Sequence, residues 1–150
     1  MGRGHATPSA GTRARWNTRP VSALLRGMAR VEIELPDAFA FATEVPVRID
    51  DVNYGGHLGN DAVLAIAQEA RLRFLAANGY ASELDVGGVG LVMADAAVGY
   101  RAEGRWGMVL KVAIAVSDLR TRGFDMLYRM TDAADGTEIA RGSRSTRGRS

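Results

Sequence analysis

Six polar residues capable of moving protons or making directed hydrogen bonds, Asp50, Asp51, Asn53, His57, Asn60 and Asp61, fall within twelve positions of the stretch RIDDVNYGGHLGNDAV. Between them stand Gly55, Gly56 and Gly59, residues that let a backbone turn tightly and come close to a ligand. Histidine titrates nearest neutrality of all side chains, so His57 is the first candidate for a general base. Asp61, Asp51 and, further along the chain, Glu69 are the carboxylate candidates.

A helix must position these groups. From Asn60 to about residue 77 the apolar residues Val63, Ile66, Ala67, Ala70, Phe74 and Ala77 recur on one face, the 3.6-residue periodicity of an amphipathic helix. Asn60 is a suitable N-cap, Asp61 puts negative charge in the first turn, and Asn78-Gly79 is a suitable C-cap. Leu64, Leu72, Leu75 and Ala65 extend the apolar surface around the rod, so only Gln68, Glu69, Arg71 and Arg73 interrupt it. Such a helix requires cover on more than one side. The structural alternatives are specific: Asp61 as a helix-start charge, Asn60 as a cap, and Glu69 as the partner of Arg73 at the favourable i,i+4 spacing.

Composition sets the outer limits. A chain of 150 residues with 47% hydrophobic content can build one core. The absence of cysteine removes disulfides, zinc thiolates and a thiol nucleophile together, and it suits a reducing cytoplasm. Two histidines are too few for a histidine-rich metal site, no uncharged apolar run reaches membrane-spanning length, and no cofactor is expected. Residues 32–138 hold all seventeen acidic residues against nine basic ones, a net charge of −8, whereas the ends carry ten arginines. The sequence pI of 9.4 therefore belongs to the ends and does not make the protein a nucleic-acid binder.

Three parts follow from this division: a basic, disordered extension over 1–30, a globular domain over 31–142, and a basic tail over 143–150. Within the domain, Val31–Leu35 alternates like a half-buried strand, and Phe39–Ile49 reads as another, with Pro46 marking an edge or bulge. Ala81–Gly88 is a polar loop. Val89–Tyr100, Trp106–Leu119, Gly123–Asp132 and a start at Thr137–Arg141 then read as strands joined by hairpin-length turns, which demands an antiparallel sheet. The expected class is α+β, with that sheet wrapped around the one long helix and self-association covering the remaining faces.

The segments DVNYGGHLGNDA, EAR and FLAANGY, followed by GLVMADAAVGYRAE, GMVLKVAIAVSDLRTRGFDMLYRMTD and GTEIARG, resemble the hotdog-fold acyl-CoA thioesterases of the 4-hydroxybenzoyl-CoA thioesterase group over about residues 42–142. The resemblance implies the hotdog fold, homodimers or homotetramers, an acyl-CoA or acyl-carrier thioester as substrate, and a site at a subunit interface near the helix N-terminus. Unpaired N–H groups at a helix start stabilise a developing oxyanion, and Gly56 through Asn60, with Gly59 among them, would supply them. Typical members carry an aspartate where Asn53 stands, and asparagine is neither base nor nucleophile. Asn53 would orient water or hydrogen-bond the thioester oxygen, leaving the base to His57, which aligns with a histidine of plant acyl-carrier-protein thioesterases. Arg101, Arg105, Arg120 and Arg122 flank turns and are alternatives for holding coenzyme A phosphates or ordinary solvated arginines.

Two other functions remain open on the residues. An enoyl-thioester hydratase or dehydratase would carry a signature like DxNPLH, but here Asp51 and His57 are six apart and the proline is missing. A non-catalytic acyl-thioester binder would follow if Asn53 abolishes turnover. Relatives also end on a long apolar strand, where this chain has Gly142 followed by SRSTRGRS, so the last strand is expected to be short or frayed.

Overall fold

The structure, a computed structural model, describes residues 31–149. The extension expected to be disordered, 1–30, lies outside the described residues. One five-stranded antiparallel sheet holds β1 (Phe41–Pro46), β2 (Gly90–Tyr100), β3 (Val109–Arg120), β4 (Gly123–Asp132) and β5 (Glu138–Arg149), in the spatial order β1-β3-β4-β5-β2. Among the described residues a single α-helix, α1 (Asn60–Ala77), packs against one face. The α+β class and the wrapped helix are as the sequence suggests.

Alternation decides which face meets the helix. Leu110, Val112 and Ile114 of β3 lie in register with Asp132, Met130 and Tyr128 of β4, and the three apolar β3 side chains are fully buried under Val63, Ile66, Ala67 and Ala70. Each aliphatic side chain of that size contributes about 1.5–3 kcal/mol on full burial. Arg73 ties the helix to β1 by donating to Thr43 Oγ1 at 3.1 Å and to the Glu44 carbonyl at 2.7 Å. The helix ends as expected: Gly79 has φ +85°, its N–H bonds to Ala76 O, and the Tyr80 N–H bonds to Leu75 O, the paired bonds of a Schellman turn.

Several expectations give way. Val31–Leu35 is not a strand; only Ile33 is buried, and its carbonyl accepts from the Arg141 guanidinium at 3.1 Å instead of from a neighbouring strand. The strand expected over Phe39–Ile49 is confined to Phe41–Pro46, with Pro46 on an edge strand, and Ile49–Asp51 forms a 3-10 turn. Gly59, not Asn60, is the N-cap residue. β2 and β3 are not a hairpin: β2 pairs with β5 at one edge, so residues 101–108 must cross the end of the sheet to reach β3 beside β1.

The largest correction concerns the end of the chain. Residues 143–149, expected as a tail, belong to β5, which is neither short nor frayed and lies between β4 and β2. Small residues suit this crowded position. A Cβ on Gly142 would come to 3.2 Å from Ala97 O, and one on Gly148 to 2.8 Å from a Val89 methyl. The buried Thr146 satisfies its hydroxyl by donating to Phe124 O at 2.7 Å. The exposed sheet edges are β1 and β2.

Among the described residues, two arginines lie inside the molecule. Arg71, read from the sequence as a break in the helix's apolar surface, and Arg144, read as tail, are each 3% exposed. Arg71 pairs with Glu83 from the loop that precedes β2, and burial lowers the pKa of Arg144.

Candidate active site

The glycine-rich turn closes on itself before it enters the helix. Asn53 N–H bonds to His57 O at 2.9 Å, and Asn53 Oδ1 accepts from the N–H groups of Gly55 at 2.9 Å and His57 at 3.3 Å. Asn53 thus holds the loop as an Asx turn, with its Oδ1 committed to two loop amides. Asp51 Oδ2 accepts from Arg48 N–H at 2.8 Å, capping the 3-10 turn. Gly56 has φ +78°, a conformation that favours glycine there.

The donors for an oxyanion lie later than the sequence suggests. Gly56 N–H bonds to Asn53 O, Leu58 N–H to Gly104 O and Gly59 N–H to Asp51 O, so with His57 already committed these four amides are spent on the loop. The first bond of the helix runs from Val63 N–H to Gly59 O at 3.2 Å. The N–H groups of Asn60, Asp61 and Ala62 precede it and have no intrahelical acceptor, the ordinary condition of a helix start. Of the expected donors, only Asn60 remains.

The crossover after β2 supplies what sequence reasoning missed. Gly104 packs so tightly on Leu58 that a Cβ there would approach Leu58 Cβ to 2.9 Å, and the Leu58 N–H to Gly104 O bond is 2.8 Å. This contact sets the neighbouring Glu103 beside the loop, with Oε2 3.2 Å from His57 Nδ1 and 3.2 Å from Arg105 Nη2. The approach to Nδ1 is oblique, so the contact is an ion-pair distance and not a hydrogen bond. Nδ1 is buried, while the His57 side chain as a whole is 41% exposed.

Tyr100, at the end of β2, is the second residue that sequence reasoning missed. Its hydroxyl donates to Asn60 O at 3.3 Å, and its pKa is raised first by burial and then by the negative charge of Asp61. The Asp61 carboxylate folds back over the N-cap, since a Cβ on Gly59 would meet Asp61 Oδ1 at 2.6 Å. His57, Asp61, Glu103 and Tyr100 therefore gather at the helix start. No local pattern in RAEGRW or VGY announces the last two; only the crossover brings them in.

Glu69 stands apart from the loop and pairs with Arg73 at 2.8 Å. With Asp51 and Arg48 it lines a groove of about 340 Å³ between the helix and β1. Arg120 pairs with Asp118 and, at 3.1 Å, with Asp125, and Arg101 lies 3.9 Å from Glu138. Gly87 and Gly88 have φ of +65° and +86° in a turn closed by Gly88 N–H to Asp85 Oδ1.

The model of the thioesterase-like superfamily matches residues 47–147, which include the loop, the helix and most of the sheet. The chain belongs to that superfamily. Among solved structures, it is similar to the 1,4-dihydroxy-2-naphthoyl-CoA thioesterase of Synechocystis, with 21% identity, a TM-score of 0.67 and coverage of 72% of this chain and 80% of that one. A thioesterase-superfamily protein of Jannaschia matches at 24% identity and TM-score 0.67, covering 75% and 71%. A gentisyl-coenzyme A thioesterase matches at 18% identity and TM-score 0.65, covering 72% and 86%. No curated protein sequence matches. At these identities the likeness establishes the fold, and this thioesterase-like chain has the hotdog architecture.

Proposed function

We propose that the protein hydrolyses an acyl thioester, of coenzyme A or of a carrier protein, to a free acid and a thiol. The observation that carries this reading is the set of free amides at Asn60, Asp61 and Ala62, beside His57 with Glu103 and beside Asp61 with Tyr100. Membership of the thioesterase-like superfamily supports it.

In this mechanism the thioester oxygen lies against the helix-start amides, which stabilise the negative charge it gains; one such donor is worth roughly 3 kcal/mol. In this proposal Nε2 of His57 is the basic nitrogen, its buried Nδ1 lying 3.2 Å from Glu103 Oε2. Nε2 takes a proton from water as its oxygen attacks the carbonyl carbon. When the tetrahedral intermediate collapses, the C–S bond breaks and the same proton passes to the departing sulfur. Asp61 is the second base, placed across the helix start. Asn53 acts by shaping the loop and Glu69 by pairing with Arg73; neither has a chemical step.

The working unit in this proposal is a homodimer or a larger even assembly. β2 is an eleven-residue edge strand, and Leu64 and Leu72 on the adjoining helix flank are 36% and 38% exposed. An edge that long calls for a partner. A thiol-release assay over a panel of acyl-CoA substrates, repeated with His57→Ala and Asp61→Asn, tests the reading. Turnover that falls in both variants supports it, and full activity in both would remove these residues from the site.

A further inference from the structure

Charge buried between the helix and the sheet does not balance. Arg71 and Arg144 are each 3% exposed, and among the described residues the one carboxylate at ion-pair distance from either is Glu83, paired with Arg71. Gln68 Oε1 accepts from both guanidinium groups, at 2.6 Å from Arg71 and 3.4 Å from Arg144. Arg144 also donates to Leu64 O at 2.7 Å and lies 6.0 Å from the centre of the Tyr128 ring. Arg71 Nε is buried without an acceptor. A buried cation without a counter-charge is costly, and apolar residues at such positions are often as stable or more so. One positive charge is left over.

This cluster adjoins the proposed active site. An apolar slot between helix and sheet is lined by Val63, Leu64, Ala67 and Val98 and bounded by Tyr128 and Arg144. It begins one turn below the free amides. At ~1.5 Å per residue, Leu64 and Gln68 lie about 6 and 12 Å down the axis from Asn60. With ~1.2 Å of reach per bond in an extended chain, that span is about five to ten bonds from the thioester carbonyl. The slot measures about 10 Å³, room for roughly one water molecule, and its outer wall is Leu64, 36% exposed, which an acyl chain would have to displace.

We infer that this slot is the acyl pocket and that Arg144, bridged to Arg71 through Gln68, selects acyl thioesters whose far end is a carboxylate. The inference rests on the hydrolase reading and names its substrate class. A carboxylate matches the guanidinium fork and neutralises the surplus charge, whereas a methyl end leaves it uncompensated.

The test compares adipoyl-CoA with hexanoyl-CoA and suberoyl-CoA with octanoyl-CoA in the full-length protein, in wild type, Arg144→Met and Arg144→Lys. Wild type should prefer the dicarboxylic member by at least about tenfold in kcat/KM; Arg144→Met should abolish or reverse the ratio, and Arg144→Lys should restore part of it. Adipate, but not the uncharged hexanamide, should raise the melting temperature of wild type. Equal use of both members of each pair, or an Arg144→Met enzyme that slows on both and keeps the ratio, overturns the inference. If no thioester is cleaved, the hydrolase reading fails and the melting shift alone decides the anion site: a shift with adipate only supports it, and no shift, or an equal shift with hexanamide, overturns it. Should Arg144→Met not fold, the wild-type ratios decide.

Discussion

His57 Nδ1 and Glu103 Oε2 lie 3.2 Å apart although the helix and all of β2 separate them in the chain. Glu103 acts through His57, so their losses should not add. His57→Ala is expected to lower kcat/KM by about 10²–10⁴-fold, the usual worth of a general base, and Glu103→Gln by about tenfold. The double variant should be no slower than His57→Ala alone. Additive losses would place Glu103 in some other role.

Gly59 leaves room for the Asp61 carboxylate, 2.6 Å from where a Cβ would stand. Gly59→Ala must push that flexible side chain aside while the cap backbone, at φ −66°, accepts alanine readily. Activity should fall to about the level of Asp61→Asn, while the melting temperature changes by only a few degrees. An unchanged rate in Gly59→Ala would show that the carboxylate's position is immaterial.

Glu138 sets part of the acid limit of stability. Its pKa is lowered from 4.5, first by hydrogen bonding to the Arg141 guanidinium at 2.6 and 2.8 Å and then by the neighbouring arginine charges, against the opposing effect of burial. A depressed folded-state pKa means stabilisation that is fully present above 4.5 and lost as pH falls through the lower folded value. Denaturation midpoints should therefore decline below pH 4.5, and less steeply in Glu138→Gln. Parallel acid limbs in the two proteins would exclude this pair as a contributor.

The end of the chain is structural. A Cβ on Gly123 would approach Thr146 O to 2.1 Å, a backbone atom held in the β4–β5 ladder. Gly123→Ala should cost at least about 2 kcal/mol in urea denaturation. Deleting residues 143–150 should leave no folded protein by circular dichroism, whereas a removable tail would leave the fold intact.

Assembly is tested at the β2 edge. Val92 and Met93 are 47% and 42% exposed on that strand. Lysine at both positions, the kind of charge that blunts an edge, should give a monomer by light scattering, with lower turnover if the proposed homodimer shares its site between subunits. A fully active monomer would show that one chain suffices.

Local chemistry was legible because it depends on near neighbours. The helix from Asn60 to Ala77, its Asn78-Gly79 ending, the strands β2 and β4 and the polar turn at His57 all follow from periodicity and turn residues within a few positions of one another. The same information could not place Glu103 beside His57 or Tyr100 beside Asp61, because those contacts depend on a crossover whose path is set by strand order. Nor could it see that Gly56 to Gly59 spend their amides within the loop, since their acceptors include Gly104 and Asp51. Residues 143–149 looked like a basic tail because small and charged residues signal solvent when read singly. Packed between two strands, glycine, serine and threonine are what the close approach of neighbouring backbones requires, and Arg144 enters the interior because Gln68 and the Leu64 carbonyl are there to receive it.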